Sequence, residues 1–92
     1  MESQAGLIAK VHGRVQGVFF RAFTSDMAVR LKLTGYAKNL PDGTVLVEAE
    51  GEKKKLEDFL HHLHTGPQMA QVDKVETSWS VFENRFSGFR TL

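Results

Sequence analysis

The chain contains no cysteine among its 92 residues. Disulfide bonds, thiolate catalysis and cysteine-based metal sites are therefore excluded, and so is metal chaperoning through thiolate ligands. Charge of one sign is also scarce, because twelve basic residues face eleven acidic ones for a net charge of +1. So small an excess gives no general attraction for nucleic acid or for an anionic membrane, and any preference for anions must come from a local site.

Long apolar runs are missing as well. No stretch approaches the roughly 20 apolar residues of a membrane span, and residues 1–6 are polar and lack the apolar core of a signal peptide. We therefore expect a soluble, cytoplasmic protein that binds neither membrane nor nucleic acid. The length predicts one domain over residues 1–92, with residues 1–6 frayed, and nothing in the sequence requires more than a monomer.

Hydrophobic periodicity predicts both strands and helices. A period of two, broken by turn signals such as Leu40-Pro41-Asp42-Gly43, predicts strands over residues 7–12, 36–40, 44–50 and 72–81 and a short last strand over 88–92. Helical spacing predicts helices over residues 22–33 and 52–64. The order β-α-β-β-α-β indicates an α+β, ferredoxin-like sandwich, in which two helices cover one face of a four-stranded antiparallel sheet. This fold serves enzymes, RNA-binding modules and metal chaperones, so it leaves function open.

The stretch Gly13-Arg14-Val15-Gln16-Gly17-Val18-Phe19-Phe20-Arg21 lies between the first predicted strand and the first predicted helix. Its two glycines permit a tight turn, and the helix that follows begins with unpaired N–H groups and a positive dipole end. Such a loop suits a phosphate-sized anion, and the guanidinium of Arg21 can pair with two phosphate oxygens. From spacing alone, a glycine turn followed by a surface arginine, ion-paired with Glu48 or Asp26, is an equally good interpretation.

Two segments together resemble the acylphosphatase family. The segment from Gly13 to Arg21 is similar to its phosphate-loop signature, and the segment Gly35-Tyr36-Ala37-Lys38-Asn39-Leu40-Pro41-Asp42-Gly43-Thr44-Val45 is similar to its second signature. The resemblance covers the chain from Leu7 to Phe89 and implies a ferredoxin-like enzyme that hydrolyses the carboxyl–phosphate anhydride without metal or cofactor. Its partners would be a small acyl phosphate and the product, inorganic phosphate.

The resemblance also implies roles for individual residues. Arg21 corresponds to the phosphate-binding arginine and Asn39 to the asparagine that holds the attacking water. We expect the phosphate to bind the loop formed by Val15, Gln16, Gly17, Val18, Phe19, Phe20 and Arg21. Asn39 would orient the water, and a phosphate oxygen of the substrate would accept its proton. Taken by itself, Asn39 favours a turn-capping role before Pro41, and only the resemblance and the Arg21 loop favour the role in holding water.

Two departures from the family pattern affect stability. Lys32 occupies a position where glycine is common, and if the backbone there needs a positive φ, lysine costs about 1 kcal/mol. The ending Phe89-Arg90-Thr91-Leu92 lacks the usual apolar-then-basic or aromatic residues. We expect that ending to affect the packing of the last strand and to leave the active site untouched.

Other features favour structural roles. His61, His62 and His64 could suggest a metal site, but the pattern favours a solvated helix end with histidines near the C-terminal dipole. Phe19, Phe20 and Phe23 are expected to pack in the core and against the loop. A base-stacking module on this topology would carry aromatics on its first and third strands, which residues 7–12 and 44–50 lack. A catalytically silent anion-binding domain stays open.

Overall fold

A computed structural model describes residues 3–92 of the chain. Five strands and two α-helices follow one another in the predicted order. They are β1 (Gln4–Arg14), α1 (Phe20–Arg30), β2 (Thr34–Asn39), β3 (Val45–Glu52), α2 (Lys53–Thr65), β4 (Gln71–Ser80) and β5 (Phe89–Thr91). Strand β1 begins at Gln4, so residues 4–6 are paired with β3 and are not frayed, whereas Met1 and Glu2 lie outside the described residues. No helix within residues 3–92 is long and apolar enough to cross a bilayer.

The strands form one sheet in the order β4-β1-β3-β2-β5. The four long strands pair antiparallel, which confirms the ferredoxin-like fold. The short fifth strand runs parallel to β2, with Gly35 opposite Phe89 and Ala37 opposite Thr91, so the sheet is mixed and not wholly antiparallel. The connection over residues 81–88 carries the chain from β4, at one edge of the sheet, to β5, at the other edge. Strand β5 runs in the direction opposite to β4 and therefore parallel to β2.

The core lies between the sheet and the two helices. Alternate residues of the central strands are buried, with Leu7, Ala9 and Val11 on β1 and Val45, Val47 and Ala49 on β3. Helix α2 closes this core with Leu56, Phe59 and Leu63, which recur at helical spacing. Helix α1 buries Phe20, Thr24 and Ala28, whereas Phe23, Met27 and Leu31 are only partly covered. The alternation predicted from sequence therefore places the apolar side chains on the helix-covered face.

A buried carboxylate fastens the connection to β5. Glu50 is 1% exposed and accepts hydrogen bonds from the backbone N–H groups of Glu83 and Arg85, each at 2.8 Å. The guanidinium of Arg85 donates to Glu48 at 3.0 Å, and the hydroxyl of Tyr36 donates to the same carboxylate. Burial and the neighbouring Glu48 carboxylate raise the pKa of Tyr36 to about 12. These contacts hold the segment that delivers β5 to the edge of β2.

Candidate active site

The loop between β1 and α1 has its side chains divided between core and surface. Val15 and Val18 are buried, which ties the loop to the core at two points. Gly17 has φ 74° and Phe19 has φ 65°, so the chain turns through left-handed conformations just before the helix. In the part of the chain that the structure describes, the backbone N–H groups of residues 16–20 donate to no other protein group. A loop with such free donors at a helix N-terminus is suited to bind an anion.

This loop forms one wall of a cavity of about 360 Å³. The cavity brings together the two elements that the sequence singled out, because Arg21 and Asn39 both line it. The remaining lining residues are Val15, Gly17, Phe19, Phe20, Ala22 and Thr91. Of the predicted loop residues, Gln16 and Val18 do not line the cavity. Val18 is buried in the core, and the Gln16 side chain forms hydrogen bonds with the β2–β3 turn.

Arg21 lies in the first turn of α1, and its Nη1 donates to the main-chain oxygen of Leu92 at 2.6 Å. Among the described residues, neither Glu48 nor Asp26 forms an ion pair with Arg21, and Glu48 pairs with Arg85 instead. An arginine carries five N–H donors in a planar fork. The hydrogen bond to Leu92 fixes the orientation of the guanidinium while it leaves further donors available to a ligand.

Asn39 is the last residue of β2, and its side-chain oxygen Oδ1 is buried. Within residues 3–92 that oxygen accepts no hydrogen bond. Buried polar atoms are nearly always paired in folded proteins, and an unpaired acceptor is costly. Asn39 therefore brings to the lining of the cavity an amide whose oxygen has no partner among residues 3–92. A turn cap would need this side chain to bond to the turn, and it does not.

The cap of the β2–β3 turn is Asp42. Its Oδ1 accepts hydrogen bonds from the backbone N–H of Thr44 at 3.0 Å and from the Thr44 hydroxyl at 2.6 Å, and its Oδ2 lies 3.0 Å from Nζ of Lys10. The hydrogen bonds from Thr44, with that of Lys10, hold the pKa of Asp42 well below its usual range. The turn that follows Asn39 is thus fixed by its own residues.

Gln16 joins the loop to this turn. Its Nε2 donates to the carbonyl oxygens of Leu40 at 2.8 Å and of Thr44 at 2.9 Å. Both protons of the amide are therefore used within the protein, and the side chain points away from the cavity. We refer to this pair of hydrogen bonds as the Gln16 clip. It links the loop that carries the free N–H groups to the turn next to Asn39.

The structure corrects two expectations. Phe19 is 73% exposed, whereas Phe20 beside it is 1% exposed, so the expected core role is wrong for Phe19 and holds for Phe20. The last strand was expected to leave the site untouched, yet Thr91 lines the cavity and Leu92 accepts the hydrogen bond from Arg21. No local sequence signal indicates Thr91, because its place depends on the parallel pairing of β5 with β2.

Comparison with known proteins decides the family. A family model described as acylphosphatase matches residues 7–91, which is nearly the whole chain. The chain belongs to the acylphosphatase family. It is 59% identical over 73 residues to the acylphosphatase of Thermus thermophilus, which covers 79% of this chain and 83% of that relative. The predicted resemblance is thereby confirmed.

Solved acylphosphatase structures have the same fold. The acylphosphatase from Coxiella burnetii superposes with a TM-score of 0.91 at 37% identity, covering 98% of this chain and 94% of that one. The acylphosphatase from Bacillus subtilis gives a TM-score of 0.92 at 32% identity, covering 96% and 98%. The chain is therefore similar to stand-alone acylphosphatases over their full length, and it is an enzyme of that family.

Proposed function

We propose that this acylphosphatase hydrolyses acyl phosphates with the loop over residues 15–20, Arg21 and Asn39 as its machinery. The observation that carries the proposal is the shared cavity, whose lining combines the loop with its free N–H groups, Arg21 and Asn39. The first two supply donors that suit phosphoryl oxygens, and the third supplies an amide that can orient a water molecule. Each component of a hydrolytic site is thus supplied by a different element, the loop, α1 and β2.

The phosphoryl group would lie against the loop amides and Arg21. Donors that are fixed before the substrate arrives stabilise the charge that spreads over the phosphoryl oxygens in the transition state, with no reorganisation needed at the moment of reaction. The Arg21 hydrogen bond to Leu92 and the Gln16 clip provide that fixation. We assign phosphate binding to backbone groups of residues 15–20 and to the Arg21 side chain, with the Gln16 side chain reserved for the clip.

The attacking water would be held by Asn39. Its amide would form a hydrogen bond with the water, which would direct a lone pair of the water toward phosphorus. Asn39 is too weak a base to take a proton, so a phosphoryl oxygen of the substrate accepts it. A water oxygen–phosphorus bond forms while the bond from phosphorus to the carboxyl oxygen breaks, and the carboxylate leaves with the electron pair. A carboxylate with a pKa of about 4 needs no general acid.

Asn39→Ala separates catalysis from binding. We expect kcat for benzoyl phosphate to fall by about 100-fold or more, because the water loses its orienting group. The inhibition constant of inorganic phosphate should change by less than about threefold, since the loop and Arg21 are intact. Asn84→Gly is the matched control, because it removes an amide side chain at a distant position where φ is 54° and glycine is accepted. Equal losses in kcat and in phosphate affinity would make Asn39 a substrate ligand instead.

The monomeric state and the cytoplasmic location expected from the sequence stay predictions. Size-exclusion chromatography with light scattering tests the first of them directly.

A further inference from the structure

Phe19 combines two features that the fold does not explain. The residue is 73% exposed, although burying a phenylalanine is one of the larger gains available to a folded chain. Its backbone is left-handed, with φ 65° and ψ 22°, a conformation that strains any bulky residue and suits glycine or asparagine. A small polar residue at position 19 would reduce both the backbone strain and the apolar area exposed to water.

The place of Phe19 suggests what offsets these costs. Phe19 is one of the residues that line the cavity, together with Arg21 and Asn39. Its two neighbours along the chain, Val18 and Phe20, are buried at 3% and 1% exposure, so the backbone on either side is anchored. An exposed apolar ring held at the rim of a polar site is typical of a ligand contact.

We propose that Phe19 is a specificity-determining residue that contacts the acyl group of the substrate and favours aromatic and other apolar acyl phosphates. The inference rests on the proposed function, which places the phosphoryl group on the loop amides. With the phosphoryl group there, the acyl group extends from the cavity toward solvent and passes the rim. A planar aromatic or branched apolar acyl group can pack on the Phe19 ring, whereas an acetyl group is too small to cover it.

The test compares benzoyl phosphate with acetyl phosphate. Phe19→Asn removes the ring and keeps a residue that accepts the left-handed backbone, so the loop retains its shape. We expect the ratio of kcat/KM for benzoyl phosphate over acetyl phosphate to fall about fivefold, a size typical of one aromatic contact. The inhibition constant of inorganic phosphate, which has no acyl group, should stay unchanged. Phe19→Leu should give an intermediate ratio.

Val29→Ala is the matched control, because Val29 is an exposed apolar residue at the other end of α1, at 64% exposure. Its substrate ratio should equal that of the unmodified enzyme. A ratio that is unchanged in both Phe19 variants would overturn the inference, and so would an equal loss on both substrates. An unmodified enzyme that hydrolyses neither substrate would overturn the proposed function and this inference with it, which separates the two failures.

Discussion

Within residues 3–92, three residues other than glycine have a positive φ, namely Phe19, Lys32 and Asn84. Phe19 lies at the site, where an aromatic contact with substrate would offset the strain. Lys32 lies beyond α1 and is not among the residues that line the cavity, and it has φ 58° and an exposed side chain. Lys32 therefore has the positive φ that would make lysine unfavourable there, because the β-carbon in this conformation is crowded by the following carbonyl.

Lys32→Gly is predicted to stabilise the protein by about 0.5–1 kcal/mol, since glycine adopts the left-handed conformation without that crowding. The midpoint of thermal unfolding should rise by about 2–6 °C for a domain of this size. Lys54→Gly is the matched control, because it places the same substitution inside the helix α2, where glycine costs about 1 kcal/mol. A lower midpoint for Lys32→Gly would show that the lysine side chain contributes more than the backbone strain costs.

The periodicity of the sequence predicted the helices and strands and their order, but it predicted the first and last residue of each less accurately. Helix α1 ends at Arg30 and not at residue 33, because the left-handed Lys32 cannot continue it. Strand β1 extends to Gln4 and Arg14 because β3 and β4 pair with it on both sides, which no local pattern reveals. The site follows the same rule. The loop and Asn39 were recognisable as motifs, whereas the Gln16 clip and Thr91 depend on contacts between distant segments.

The Gln16 clip is predicted to control the distance between the loop and Asn39. Gln16→Met keeps the length of the side chain and removes both hydrogen bonds, so the loop can shift relative to Asn39. We expect kcat to fall about tenfold, with a loss of stability of about 1–2 kcal/mol. Gln68→Met, at an exposed position between α2 and β4, is the matched control. Full kcat in Gln16→Met, measured at a temperature where both variants are folded, would show that the clip is not needed for catalysis.

Strand β5, which follows all the other strands and helices in the chain, completes the lining of the cavity through Thr91. Strand β5 reaches the edge of β2 only after residues 81–88 have crossed the sheet, and the buried Glu50 holds that crossing. A glutamate in β3 gives no sign in the sequence that it will be buried, since the alternation of that strand predicts a solvent-facing side chain. The charge is accommodated because two backbone N–H groups donate to it and Arg85 lies 3.7 Å away.

Glu50→Gln is predicted to destabilise the fold by about 2 kcal/mol. The amide retains one acceptor oxygen, and its NH₂ group faces a backbone N–H that loses its partner. Chemical denaturation measures the change. Glu57→Gln, at an exposed position of α2, should leave stability within about 0.5 kcal/mol of the unmodified protein. An equally small effect for Glu50→Gln would mean that the crossing segment is held by other contacts.

The proposed mechanism depends on Arg21, which would bind the phosphoryl group in a reaction that needs no metal. The most direct measurement is hydrolysis of benzoyl phosphate in the presence of EDTA by the unmodified enzyme, by Arg21→Ala and by Arg30→Ala, which removes an exposed arginine from the last turn of the same helix. We predict rapid turnover by the unmodified enzyme and by Arg30→Ala, and loss of turnover by at least about 1,000-fold in Arg21→Ala with its fold intact by circular dichroism. Near-normal turnover by Arg21→Ala would contradict the account.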